Sequence, residues 1–454
     1  MKRANRLPAL LTACLLLAGC TAAPQSVSLP ARSSAPAQSS TRSAGANPDL
    51  AGLELQVLPE MSAVTAEGLY TVDMLPLPDG SIRILYGDFA SSSLHPLCSL
   101  PGCDHTGSEC QGRLMAYGGI RPMVIGGRIF LVLPGAPDLA DEHGEAALAG
   151  VMTMEPDGSG KALLTRFGPT QQLKDPYLTD GRDLYCTLET AEAGWPKQEL
   201  IRVELATGEW ESIYQMSAEH SEQLISAFGS CVLLSSQSSV QGKLVMTLAR
   251  LDLSTGETTQ VPAPDPDDTT MLVQGRQIYY YSFSENALHG LDWLTLEDRV
   301  LKENLFEGGA GEGFVNLLDC RDGFALLSLF LPDSEQALTV RVDLNSGESA
   351  DFSLLSTTIS GPGRPVRILA TLPGTDRYLV EMGEQAVDYP TKTSDGTPTV
   401  VKATRPLYGL IDTADYWSSS PDYQASPTPT DPIHKTARPR IKTDSGPRFR
   451  VLFY

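Results

Sequence analysis

A hairpin-sized unit recurs along this chain, and its period limits what the chain can fold into. The unit is clearest from Thr179 to Trp210. There Gly181 opens a run of alternating residues, "DLYCTLE", and a second run, "ELIRVEL", ends in the turn "ATGE". Alternating runs bounded by turn residues read as strand, loop, strand and closing turn. The unit returns as "FGSCVLLSS" to "DLSTGET" and as "RDGFALLSLF" to "DLNSGES". From first to second glycine the distances are 27 (Gly181 to Gly208), 27 (Gly229 to Gly256) and 24 (Gly323 to Gly347). A further copy opens at Gly275, and Leu296 stands where its second glycine is expected.

The opening glycines are Gly80, Gly127, Gly181, Gly229, Gly275, Gly323 and Gly374, spaced by 47, 54, 48, 46, 48 and 51 residues. A period near 50 built of strands alone is the signature of a β-propeller with four-stranded blades. One blade cannot bury both of its faces. A ring of blades can, and it also shelters the strand edges. The expected fold class is therefore all-β, a propeller of seven four-stranded antiparallel blades over residues 53–423.

Residues 1–19 read as a leader. Lys2, Arg3 and Arg6 precede an apolar stretch, 7–19, that is too short to span a bilayer. "LAGC", Leu17 to Cys20, resembles a bacterial lipobox. That resemblance implies cleavage before Cys20, a lipid on Cys20, and a mature protein held on the outer face of the cell membrane. Residues 20–52 are rich in Ser, Ala and Pro and lack aromatic residues, the composition of a flexible linker. Residues 424–454 begin in Pro and Thr and then carry six basic residues from Lys435 to Arg450, which reads as a disordered basic tail.

The chain carries 34 basic and 55 acidic residues, a formal net charge of −21, and loss of the three leader cations makes it −24. Phosphate binding needs a basic footprint, so nucleic acid is not an expected partner. The expected partners are the membrane, through lipid at Cys20, and a protein or carbohydrate ligand. The protein is expected to be a monomer without a cofactor.

The most unusual stretch is "HPLCSLPGCDHTGSECQG", in which Cys98, Cys103, His105 and Cys110 follow the spacing C-x4-C-x-H-x4-C. Three thiolates and an imidazole are a sound tetrahedral zinc set. An exported chain equally permits disulfides, and the six cysteines beyond Cys20 (Cys98, Cys103, Cys110, Cys186, Cys231 and Cys320) allow fifteen connectivities. A disulfide within the cluster is the leading reading at the level of sequence, with a metal site and free thiols as the alternatives. "PLCSLPGCDHTGSEC" behind a lipobox, together with "LYGLIDTADYW" from Leu407 to Trp417, resembles a group of Gram-positive surface lipoproteins whose bodies are similar to TolB-like propellers. The resemblance implies a propeller and a surface location, and it carries no activity.

Other stretches are weaker signals. "VELATGEW" resembles the tryptophan turn of quinoprotein propellers, but Trp210 is alone in that position, so a quinone is not expected. The acidic run 262–268 lacks the glycine and spacing of a calcium loop. In the run Tyr279–Tyr281, alternation sends Tyr280 to one face and its neighbours to the other. Residues 134–149 form a longer loop that includes His143, and insertions of this kind collect on one face of a ring. The chain has no G-x-S-x-G, H-E-x-x-H, P-loop or dinucleotide fingerprint, and no catalytic residue can be named. The expected function is a lipid-anchored binding or scaffolding module. The alternative is a carbohydrate-active or quinoprotein-like enzyme that uses the central channel.

Overall fold

The computed structural model describes residues 48–419, apart from short breaks such as 218–220 and 393–396, together with Arg450–Leu452. The chain forms seven antiparallel sheets in succession, spanning residues 62–96, 121–166, 171–215, 223–261, 269–302, 314–351 and 367–452. Each has four strands in sequential order, and together they form a seven-bladed β-propeller. Blade 1 adds Arg113–Leu114 beside its third strand, and blade 3 adds Gln56–Val57 beside its first.

The period-two pattern explains why the blades stack. In the second strand of blade 3, Leu184, Cys186 and Leu188 point into the cluster shared with blade 2. Tyr185, between them, points into the cluster shared with blade 4. In blade 6, Ala325, Leu327 and Leu329 face blade 5 while Leu326 faces blade 7. Both faces of each sheet are thus apolar, as a strand buried on two sides requires. Seven apolar clusters fill the seven gaps between adjacent blades, so the ring is complete.

Blade 7 closes on blade 1 without exchanging a strand. Leu69, Leu85, Phe89 and Leu94 pack against Leu372, Leu379, Tyr408 and Leu410. Beside them, the fully buried carboxylate of Asp73 accepts from Arg83 at 2.6 Å and from Arg405 of blade 7 at 2.8 Å. Tyr389 Oη also donates to the Pro76 carbonyl across the same seam, at 2.8 Å.

Six of the seven expected turn glycines occupy equivalent turns between the first and second strands. Gly127, Gly181, Gly229, Gly275, Gly323 and Gly374 have φ between +56° and +86°. Gly80 does not. It lies between the second and third strands of blade 1, whose first turn is made by Thr65–Gly68, with Thr65 Oγ1 accepting from Gly68 N at 3.1 Å. At the second turn, Gly208, Gly256 and Gly347 donate to the carbonyls of Glu204, Asp252 and Asp343, each at 2.8 Å. Leu296 takes the same role, with φ +64° and a 2.7 Å bond to the Asp292 carbonyl.

Two boundaries differ from the sequence expectation. Within the presumed linker, Leu50 is 1% exposed and belongs to the cluster between blades 3 and 4. Within the segment expected to be a disordered tail, Arg450–Leu452 pairs with Tyr408–Leu410 as the fourth strand of blade 7. The leader, Cys20 and residues 424–449 lie outside the described residues.

Gly208→Ala should cost about 3 kcal/mol. A Cβ there would lie 2.3 Å from the Leu164 carbonyl oxygen, adding a clash to the left-handed strain. Gly181→Ala, with nothing within 4 Å, should cost only the strain, about 1 kcal/mol. Thermal melts of the two variants check the difference. Asp73→Ala should cost about 3–5 kcal/mol, because it leaves two arginines at the seam without their shared anion.

Candidate functional site

Neighbouring strands run antiparallel, so the turns after the first and third strands of each blade emerge on one face of the ring, the turn face. Connections after the second and fourth strands emerge on the other, the loop face. The amino-terminal segment enters at the turn face. Leu55 N donates to the Gly229 carbonyl at 3.0 Å, and Gln56 and Val57 pair with Thr179 and Leu178 on the axial edge of blade 3.

The loop face carries the elaborations. The second and third strands of blade 4 (Cys231–Val240 and Lys243–Asp252) and of blade 7 (Arg377–Lys392 and Pro398–Asp412) are the longest in the ring. The 134–149 loop folds into short helical turns between Pro137 and Ala147, with His143 stacked on Tyr117 at 4.0 Å. Trp195 is 72% exposed here, and Phe314 and Phe330 are 57% and 49% exposed, beside Leu331 and Leu338. Eleven of the sixteen exposed large apolar side chains among the described residues lie on this face.

The cysteine stretch is the connection from blade 1 to blade 2, on the same face. Both of its ends meet at Ile84. Leu97 N donates to the Ile84 carbonyl at 2.9 Å, and Ile84 N donates to the Gly112 carbonyl at 2.7 Å. Gly112 is required at this base, because a Cβ would lie 2.6 Å from the Leu97 carbonyl oxygen. Ser99 N and Oγ both donate to Gln111 Oε1 at 2.9 Å, and Lys161 Nζ ties the Gln111 and Arg113 carbonyls at 3.1 and 2.6 Å. Arg113 pairs with Asp79 and also donates to Ser81 Oγ and the Thr106 carbonyl.

This closed loop brings all four residues singled out from the sequence together. The Cys98, Cys103 and Cys110 sulfurs and a ring nitrogen of His105 lie within 4.8 Å of one another. Cys110 Sγ is 3.6 Å from His105 Nδ1, and His105 N donates to Cys103 Sγ at 3.4 Å. His105 has φ +61°, a left-handed conformation that costs a non-glycine residue about 1 kcal/mol. The sulfurs also differ. Burial pushes the Cys98 thiol up, but donation from the Leu100 and Gln111 backbone and from the Cys103 and Cys110 thiols outweighs it, and the net shift is downward. Burial, reinforced by repulsion from Cys98, pushes Cys110 up to about 12.

The six described cysteines are all free thiols. Cys186 and Cys320 pack in the clusters between blades 2 and 3 and between blades 5 and 6, and burial raises both thiols. They are packing residues of interfaces other than the one beneath the loop. Trp210 packs on Phe167 at the seam of blades 2 and 3, with ring centroids 5.5 Å apart. Tyr281 is buried and Tyr279 packs beside it, while Tyr280 takes the opposite face and stacks on His289 at 4.6 Å. In the acidic 262–268 run, Asp268 accepts from Ser282 Oγ at 2.8 Å and from Ser284 Oγ at 2.7 Å. Among the described residues one carboxyl is raised: burial pushes Asp319 up, and Arg321 Nε donates to it at 2.6 Å.

No protein-family model matches the chain, and no curated protein matches it. Among solved structures it is similar to a prolyl endopeptidase, at 11% identity and a TM-score of 0.44 over 79% of this chain and 47% of that one. It is similar to a puromycin hydrolase at 12% identity and a TM-score of 0.44, over 83% and 62% of the two chains. TolB from Acinetobacter baumannii matches at 15% identity and a TM-score of 0.32, over 78% and 76%. The chain therefore spans about half to three fifths of the length of the two hydrolytic enzymes. Matches this distant carry no chemistry over to this chain, and the propeller rests on its own sheet topology.

The base of the loop belongs to the ring, whereas residues 98–111 are held mainly by the cysteine cluster and a few polar bonds. Cys110→Ser should therefore open this segment to limited proteolysis. New cleavage should fall within 98–111, while the melting temperature of the body moves by no more than about 2 °C, since local opening leaves the global core intact.

Proposed function

We propose that the protein is an exported, lipid-anchored propeller that binds another protein through its loop face. The observation that carries this reading is the concentration of exposed apolar side chains there, with Trp195, Phe314 and Phe330 foremost. Apolar surface gathered on one rim marks an interaction site, and aromatic residues are enriched at the centres of interfaces. The path of the chain supports the orientation. The lipobox Leu17–Cys20 and the linker precede Pro48, and the chain then enters at the turn face. A tether on that side directs the loop face away from the membrane.

A channel enzyme is the competing reading. Perturbed carboxyls and histidines gathered at one place would favour it. Among the described residues the raised carboxyl of Asp319 is bonded to Arg321 and has no second raised carboxyl beside it. The Gln56–Val57 strand, moreover, lines the axial edge of blade 3.

Two measurements test the proposal. A photo-crosslinking residue placed at Phe330 or Trp195 should yield a discrete protein adduct on intact cells, and one placed at Leu163 on an outer strand should not. Equal labelling at all three positions, or none, rejects the loop face as the binding surface. Cys20→Ser should move the protein from the membrane fraction to the medium or leave it unprocessed, because the acyl chains supply the membrane affinity. Firm retention after a high-salt wash would rule out the lipid anchor.

A further inference from the structure

We infer that Cys98, Cys103, His105 and Cys110 bind one zinc ion, which serves as the core of the loop joining blades 1 and 2. The inference is independent of the partner proposed for the loop face. It rests first on distances. A tetrahedral zinc ion with bonds of about 2.3 Å to sulfur and about 2.0 Å to nitrogen has S···N edges of about 3.5 Å and S···S edges of about 3.8 Å. Cys110 Sγ and His105 Nδ1 are 3.6 Å apart, and all four donor atoms fall within 4.8 Å of one another.

The second argument is what the loop buries. From Cys98 to Gln111, Cys110 alone is buried, and Cys98, Cys103, His105, Gly107 and Gln111 are half-buried. Every other residue is exposed, including Leu100, the one large aliphatic residue of the segment. The interior of this loop is therefore three sulfurs and an imidazole, with no alkyl side chain among them. Such an interior gains nothing from hydrophobic burial, and a metal ion supplies the cohesion that apolar contacts do not.

The third argument concerns the alternative of a disulfide. A disulfide joins two of the three sulfurs and leaves one thiol and the imidazole without a role. None of Cys186, Cys231 and Cys320 is placed to take the spare thiol, since each packs between other blades. A metal uses all four donors. It also accounts for the left-handed backbone at His105, which turns the ring toward Cys110, and for the His105 N–H directed at Cys103 Sγ. On binding, each cysteine releases one proton to solvent and the histidine coordinates as neutral imidazole. The resulting centre carries one net negative charge. The Lys161 ammonium, fixed to the carbonyls of Gln111 and Arg113, stands beside it as the counter-charge.

The test uses the full chain purified under argon without chelator or reductant. One zinc per chain is expected by elemental analysis, with three thiols in the 98–110 peptide becoming reactive only after chelation. Exchange with Co2+ should give the strong visible bands of a tetrahedral site and a thiolate charge-transfer band in the near ultraviolet. His105→Ala should shift those bands and weaken Zn2+ binding by more than the roughly 10–100-fold that loss of an outer-sphere partner costs. It should also leave the far-ultraviolet circular dichroism of the ring unchanged. Cys231→Ser, a substitution in blade 4, should leave the metal content at one. A peptide crosslinked between two of the three loop cysteines, or three free thiols on a chain that takes up neither Co2+ nor Zn2+, overturns the inference.

Discussion

Everything in this molecule depends on the seam between its first and last blades. A four-stranded sheet with two apolar faces is soluble only when both are covered. Six of the seven interfaces form between blades adjacent in sequence. The seventh joins the segment from Leu69 to Leu94 to that from Leu372 to Leu410, and until it forms, two blades each expose an apolar face. The amino-terminal strand Gln56–Val57 takes no part in that junction, since it pairs on blade 3. Here blade 7 takes its fourth strand from Arg450–Leu452 and the seam is held by side chains. Apolar packing supplies most of the attraction. The Asp73 carboxylate, shared between Arg83 of its own blade and Arg405 of blade 7, fixes which surfaces meet, because a misaligned seam would leave a buried charge unpaired.

Freed from closing the ring, the amino-terminal segment does something else. It crosses from Gly229 of blade 4 to Thr179 of blade 3, and Leu50 and Leu55 fill the cluster between those blades. The amino-terminal segment is thus spliced into a mid-ring interface, and a pull on it would be shared by two blades. On the opposite face lie the long strands, the short helical insert and the cysteine loop.

The repeat was legible because it is written in residues whose physics is local. A left-handed turn calls for glycine, and the alternation that buries both faces of a strand needs no long-range information. Gly127, Gly181, Gly229, Gly275, Gly323 and Gly374 all report their turns, and even Leu296 was placed correctly as a non-glycine in a glycine position. Gly80 misled because the first turn of blade 1 is closed by the Thr65 side chain and uses no left-handed glycine, so the nearest glycine in register belonged to the next connection. The fourth strand of blade 7 was hidden for a different reason. Arg450–Leu452 is three residues in a basic stretch, and its pairing with Tyr408–Leu410 spans about forty positions. The candidate site was half legible. Four donors within thirteen residues were plain, but whether their atoms converge depends on Ile84, which clasps both ends of the loop from another strand.

That clasp also explains why such a loop can exist at this point of the ring. The Leu97 carbonyl oxygen is approached by Gly112 of the returning loop and by Gly158 of blade 2, and a Cβ on either glycine would lie 2.6 or 2.5 Å from it. Two glycines on one carbonyl bring three backbone segments into contact where side chains would hold them apart. The loop therefore leaves and rejoins the ring at a single rigid junction. Its interior can then be decided by its own residues without disturbing the interface below, where Ile84, Leu97 and Leu114 remain in the apolar cluster of blades 1 and 2. Beyond its base such a segment draws on the ring through few bonds, among them Arg113 to the Thr106 carbonyl. Fourteen residues with a single buried side chain cannot offset the entropy of their own ordering through apolar contacts. A set of three thiols and an imidazole at such a point is chemistry added to a finished fold, and its contribution is local order on the exposed face.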